Sequence, residues 1–103
     1  MPVVVATLTV KPESVDTVRN ILTRAVEEVH GEPGCRLYSL HQTGETFVFV
    51  ERWADPEALE VHSTTPAVTK MVMAAGEHLA GAMDVKMLQP VPAGDPDKGL
   101  LRR

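Results

Sequence analysis

The sequence predicts an α+β domain of the ferredoxin-like class, an antiparallel sheet built in the order β-α-β-β-α-β. Three observations predict it. Residues 3–10 are β-branched and apolar at both alternating positions, the mark of a strand covered on both sides. Two further strand-like runs, Cys35–Thr43 and Thr46–Trp53, flank Gly44 in a short connection, a hairpin signal. Apolar residues at helical spacing precede and follow that hairpin.

The elements follow in order. Lys11-Pro12-Glu13-Ser14 turns the first strand into a helix in which Val15, Val18, Leu22, Ala25, Val26 and Val29 fall at helical spacing. Gly31 suits the C′ position, and Glu32-Pro33-Gly34 ends the helix. After the third strand, Asp55-Pro56 is an N-cap followed by a residue suited to the first helical position. The short helix that it opens carries His62. Thr65-Pro66 repeats the cap pattern, and the next helix is expected to turn Val68, Met71, Val72, Ala75 and Leu79 inward. Residues 83–91 alternate as a last strand, with Val85 and Met87 on one face. Residues 1–91 therefore form one domain. Residues 92–103 form an irregular tail, rich in Pro and Gly, whose apolar Leu100-Leu101 need cover.

Such a sheet carries its helices on one face. The other face is also apolar here, as the Val and Phe pattern of strands one and three shows, and an exposed apolar face marks an association surface. A homodimer with two sheets packed face to face is the expected solution, with the tail crossing onto the partner subunit.

Composition narrows the partners. The 103 residues suit one domain, and the apolar share of 44% is ordinary for a folded chain. Net charge is −4, and the basic run at Arg102-Arg103 is short, so no nucleic acid is expected as a partner. No apolar run is long enough for a membrane span, and the N-terminus lacks the basic and apolar regions of a signal peptide. Cys35 is alone, which excludes an intrachain disulfide and makes a reduced, cytoplasmic setting the expectation.

His62 is the leading candidate for chemistry. Ala58 lies one turn before it and Leu59 beside that, so the imidazole is aimed at the apolar side, towards the sheet. It suits a pocket base, or a donor to a substrate hydroxyl. It suits equally a ring satisfied by a backbone carbonyl that ties helix to sheet. Trp53, at the strand end, is a stacking surface for an aromatic substrate or a core plug. Tyr38 and His41 lie on opposite faces of the second strand and can supply polar contacts; Glu51 and Arg52 face opposite sides of the third, one expected to form an ion pair across the dimer interface while the other reaches pocket or solvent. Cys35, beside a turn, fits a small buried residue better than a nucleophile. No H-x-x-x-H or H-x-E motif supports a metal, and no G-x-G-x-x-G follows a strand.

Glu32-Pro33-Gly34-Cys35 leading to Tyr38, then Phe47-Val48-Phe49-Val50-Glu51-Arg52-Trp53, Asp55, Ala58-Leu59 and His62, resembles the antibiotic biosynthesis monooxygenase domain. The resemblance covers about residues 1–90. It implies a dimeric α+β barrel with a pocket between helices and sheet in each subunit. It also implies oxygenation of quinol- or anthrone-like aromatics by dioxygen, with no metal, flavin or haem. On that reading His62 is the catalytic residue, and Trp53, Tyr38, His41, Ala58, Leu59 and Val72 line the substrate pocket. Haem-cleaving relatives use an Asn on the first strand, a Trp on the helix after the third strand and a histidine ligand beyond it. This chain has no such Asn, has His62 at the Trp place and Val72 near the ligand place, which disfavours haem cleavage. The function expected is a cofactor-independent monooxygenase for a quinol- or polyketide-like aromatic. The alternatives are a non-catalytic small-molecule-binding or stress-linked dimer, or an isomerase of a small carbonyl compound.

Overall fold

A computed structural model describes residues 1–101. The basic pair Arg102-Arg103 lies outside the described residues. Four strands, β1 (Val3–Thr9), β2 (Cys35–Thr43), β3 (Thr46–Trp53) and β4 (Asp84–Leu88), form one antiparallel sheet in the spatial order β2-β3-β1-β4. Three helices, α1 (Val15–Val29), α2 (Pro56–His62) and α3 (Pro66–Gly76), complete the ferredoxin-like α+β fold. No helix among the described residues is long and apolar enough to cross a membrane.

Register explains which side chains share a face, because residues paired across antiparallel strands project to the same side. Val4 pairs with Glu51, Ala6 with Phe49 and Leu8 with Phe47, and all six are buried. The five apolar ones meet Val18, Leu22, Ala25 and Val29 of α1 and Ala67 and Met71 of α3 to make the core. On the opposite face Val3, Val5 and Thr7 pair with Arg52, Val50 and Val48. This face carries no helix. Arg52 reaches the tail there, its Nη1 donating to the Leu101 carbonyl at 2.6 Å.

Several local expectations give way to longer-range constraints. The inward stripe of α3 is Ala67, Met71 and Ala75, four residues apart, so Val72 is rotated by about 100° from Met71. Val72 is 45% exposed, not turned inward. Leu79 lies beyond the helix and bridges Val10, which itself falls outside β1. The last strand is five residues, shorter than residues 83–91, because its ladder on β1 runs only from Thr7 to Val3. By register Met87 and Val85 share the helix-bearing face with Val4 and Ala6, yet Met87 is 73% exposed. They sit on the outer strand of the sheet, beyond the packed helices. Gly31 does not adopt the left-handed conformation expected of it. Gly34, at φ 81°, does.

Candidate functional site

Asp55 starts α2 by accepting a hydrogen bond from the Ala58 N–H at 2.8 Å, and Pro56 occupies the first turn. Seven residues later the helix ends at His62, which is 7% exposed. Its ring lies 4.3 Å, centroid to centroid, from Trp53 at an interplanar angle of 34°. The Tyr38 ring meets it edge-on at 5.4 Å. Trp53 is fully buried, so it backs the imidazole instead of offering a face to a substrate.

The polar partners come from two directions. Glu32, in the turn before β2, places Oε1 2.8 Å from His62 Nδ1. The Thr65 hydroxyl donates to the other oxygen of Glu32 at 3.0 Å, and also to the His62 carbonyl at 3.0 Å. Thr65 therefore fastens this turn to α2 instead of capping α3 with its side chain. With the Thr65 hydroxyl donating to one Glu32 oxygen, the other faces Nδ1 as the acceptor of its N–H, and Nε2 makes no hydrogen bond among the described residues. From β3, Glu51 brings Oε1 to 3.9 Å from Nε2, too far for a hydrogen bond. That same oxygen accepts from Trp53 Nε1 at 3.0 Å.

Burial raises the Glu51 carboxyl above the usual glutamate value, and the Glu32 charge adds to the rise. The Trp53 hydrogen bond and His62 act against it. Tyr38 is also raised, first by burial and then by the charges of Glu51, Glu32 and Cys35, so its phenol stays neutral. Burial, Glu32 and Glu51 push the Cys35 thiol up as well, which disfavours a thiolate nucleophile. Among the described residues, no fully buried side-chain nitrogen or oxygen lacks a hydrogen bond. His62 Nε2, Glu51 Oε2 and Tyr38 Oη make none within the chain, so each keeps some contact with solvent.

Of the residues that the sequence singled out, His62, Trp53 and Tyr38 are brought together. Ala58 and Leu59 are half-buried on the same short helix. His41 is exposed on the far face of the sheet, its Nε2 2.8 Å from Ser39 Oγ, and Val72 is exposed on α3. Neither adjoins the cluster. A separate cavity of about 490 Å³ lies between α1 and α3, floored by Ile21, Ala25, Ala67 and Met71; it does not take in His62. No three His, Cys, Asp or Glu among the described residues are grouped to hold a metal ion.

Sequence reasoning missed Glu32 and Glu51 as partners of His62. For Glu51 a signal existed. It is in phase with Phe47, Phe49 and Trp53, so strand alternation places a carboxylate among three aromatics. For Glu32 the only local signal was turn chemistry, which explains Pro33 and Gly34 but not the glutamate.

Residues 1–74 match the antibiotic biosynthesis monooxygenase family. An uncharacterised protein of Synechocystis, sll1783, is 30% identical over 90 residues, which is 84% of this chain; the chain spans 61% of that relative's length. A crystal structure of an antibiotic biosynthesis monooxygenase is 33% identical, with a TM-score of 0.85 over 89% of this chain and 100% of its own. Rv0793 of Mycobacterium tuberculosis is 28% identical, with a TM-score of 0.84 over 92% of this chain and 100% of its own. A protein of Caulobacter crescentus described as a putative antibiotic biosynthesis monooxygenase is 29% identical, with a TM-score of 0.83 over 87% of this chain and 89% of its own.

Proposed function

The chain belongs to the antibiotic biosynthesis monooxygenase family, and from that premise we propose that it oxygenates a quinol- or polyketide-like aromatic with dioxygen, without a cofactor. The observation that carries this reading is His62: a buried imidazole with Nδ1 fixed by Glu32 at 2.8 Å and Nε2 unbonded. That is the arrangement of a general base held by an orienting carboxylate.

In the proposed reaction Nε2 takes the proton of a phenolic hydroxyl. Glu32 stabilises the imidazolium that results, since its oxygen already faces Nδ1. The electron-rich anion then passes electrons to dioxygen. One oxygen atom enters the ring and the other leaves as water. A quinol supplies all four electrons, two on becoming a quinone and two at the carbon that is hydroxylated. No outside reductant is needed. Apolar walls favour this step by keeping the developing charge among fixed dipoles.

The working unit proposed is a homodimer in a reduced, cytoplasmic setting, joined through the helix-free face of the sheet. Its partners are the small aromatic substrate and dioxygen. Val3, Val5, Val48 and Val50 give that face its apolar strip. The test is oxygen consumption with a panel of hydroquinones and anthrones, comparing the parent with His62→Gln. A loss on the order of 10²-fold is expected for the variant. Equal rates for the two proteins would return His62 to a structural role.

A further inference from the structure

We propose that the cleft between α1 and α3 is a second binding site, which takes an apolar monocarboxylate with its skeleton on the cleft floor and its carboxylate on Arg24. The inference goes beyond the oxygenase reading, because the cleft does not take in His62. It holds about 490 Å³, within the roughly 300–1,000 Å³ of small-molecule sites and far above the water-sized voids of ordinary packing. Its depth comes from short side chains. Ala25 of α1 and Ala67 and Ala74 of α3 line it where longer residues would close the gap, and Ile21 and Met71 complete the apolar floor. The flexible thioether of Met71 lets that floor follow ligands of different outline.

The rim is polar and its charges are unequal. Asn20, Arg24 and Glu28 recur every four residues on α1, so they stand in one row along the cleft. From α3, Lys70 brings Nζ to 3.5 Å from Glu28 Oε1, a pair that bridges the two helices. Arg24 and Asn20 have no such engagement. Neither side chain makes a hydrogen bond or ion pair with another described residue. With Glu28 matched by Lys70, the Arg24 guanidinium is the uncompensated charge of the rim, on a chain whose net charge is −4.

An apolar monocarboxylate matches both features. Its skeleton leaves water for the floor, which supplies the driving force. Its head stays at the exposed rim, so neither the carboxylate nor Arg24 has to be stripped of water. There two N–H groups of the planar guanidinium meet the two carboxylate oxygens, a fit that an ammonium group does not offer. Asn20, one turn away, adds an amide donor to the same rim. A phosphate monoester fits less well, because one free guanidinium faces two negative charges and Glu28 repels the second. A neutral apolar molecule would bind through the floor alone.

The experiment titrates the full chain with naphthoate and its uncharged analogue naphthamide, read by calorimetry. The parent should bind naphthoate at one site per chain and naphthamide at least tenfold more weakly. Arg24→Gln should weaken naphthoate at least tenfold and leave naphthamide within a few-fold, since only the charged contact is lost. Ala74→Leu, on the exposed wall of the cleft, should weaken both probes by filling the floor while circular dichroism stays unchanged. Arg36→Gln, which removes an exposed arginine outside the cleft, should bind naphthoate like the parent, and so should His62→Gln. A parent that does not bind naphthoate would overturn the proposal, as would an Arg24→Gln or a folded Ala74→Leu variant that binds it as tightly as the parent. An equal loss in Arg36→Gln would reduce the effect to overall charge, and a loss in His62→Gln would move the ligand to the His62 cluster; either result overturns the second site. Naphthoate binding as described, in a parent that consumes no oxygen with quinols, would support the cleft and remove only the oxygenase reading.

Discussion

A Cβ on Gly34 would lie 2.5 Å from the Ala58 Cβ. The turn that carries Glu32 is thus pressed directly against the helix that carries His62. The Gly34 carbonyl also accepts the Ala54 N–H at 2.8 Å, pinning the turn to the end of β3. Gly34 combines a positive φ with a contact that admits no side chain, so the two halves of the Glu-Pro-Gly and Ala-Leu-x-x-His pattern are packed on each other.

Gly34→Ala should therefore destabilise the fold by about 1–3 kcal/mol or more, from backbone strain plus the clash. Urea unfolding measures it. Adding Ala58→Gly should restore part of the loss by opening the contact while leaving the φ strain. An unchanged midpoint for Gly34→Ala would mean that the close approach is absent in solution.

His62→Ala is expected to lower stability as well as activity. In the variant Glu32 Oε1 loses its Nδ1–H partner. The cost should be about 1–3 kcal/mol, read as a lowered melting temperature. His62→Gln, which keeps an amide donor, should recover part of that stability but not the base. If His62→Ala melts with the parent, the Glu32 contact contributes nothing to the native state.

The raised Glu51 carboxyl sets a pH dependence of stability. The folded state holds this proton more tightly than the unfolded chain, whose ordinary value is 4.5. Its contribution is thus fully present below 4.5 and is lost as pH rises through the elevated folded value. Glu51→Gln removes that term. Its unfolding free energy should gain on the parent with rising pH across this window and then level off. A difference independent of pH would show that Glu51 ionises alike in both states.

The helix-free face and the tail give a prediction on assembly. Val50→Glu places a charge in the middle of the apolar strip without touching the core, because it faces away from Phe49. Light scattering should show a dimer for the parent and a monomer for the variant at micromolar concentration. In the described residues the tail meets its own subunit, with Gly99, Leu100 and Leu101 around Val3, Arg52 and Leu88. We infer that in the dimer this arm adds to the partner's face. Deleting residues 93–103 should weaken association; an unchanged dimer affinity would rule the arm out.

Local rules carried much of this molecule. The run of Val residues, the helical spacing from Val15 to Val29, the cap at Asp55 and the hairpin around Gly44 each act within a few residues, so they are legible in the sequence. Placing His62 towards the sheet needed only the period of a helix. Tertiary structure decided what that histidine meets. Glu32 is 30 positions away, and only the fold of the turn against α2 brings its carboxylate to the ring. The choice of Met71 over Val72 as the buried residue depended on how α3 is rotated against α1, to which a periodic apolar stripe on a short helix is nearly indifferent. The exposure of Met87 likewise depended on which strand lies outermost in the sheet. Alternation fixes the face of a residue, but only the arrangement of distant elements fixes what covers it.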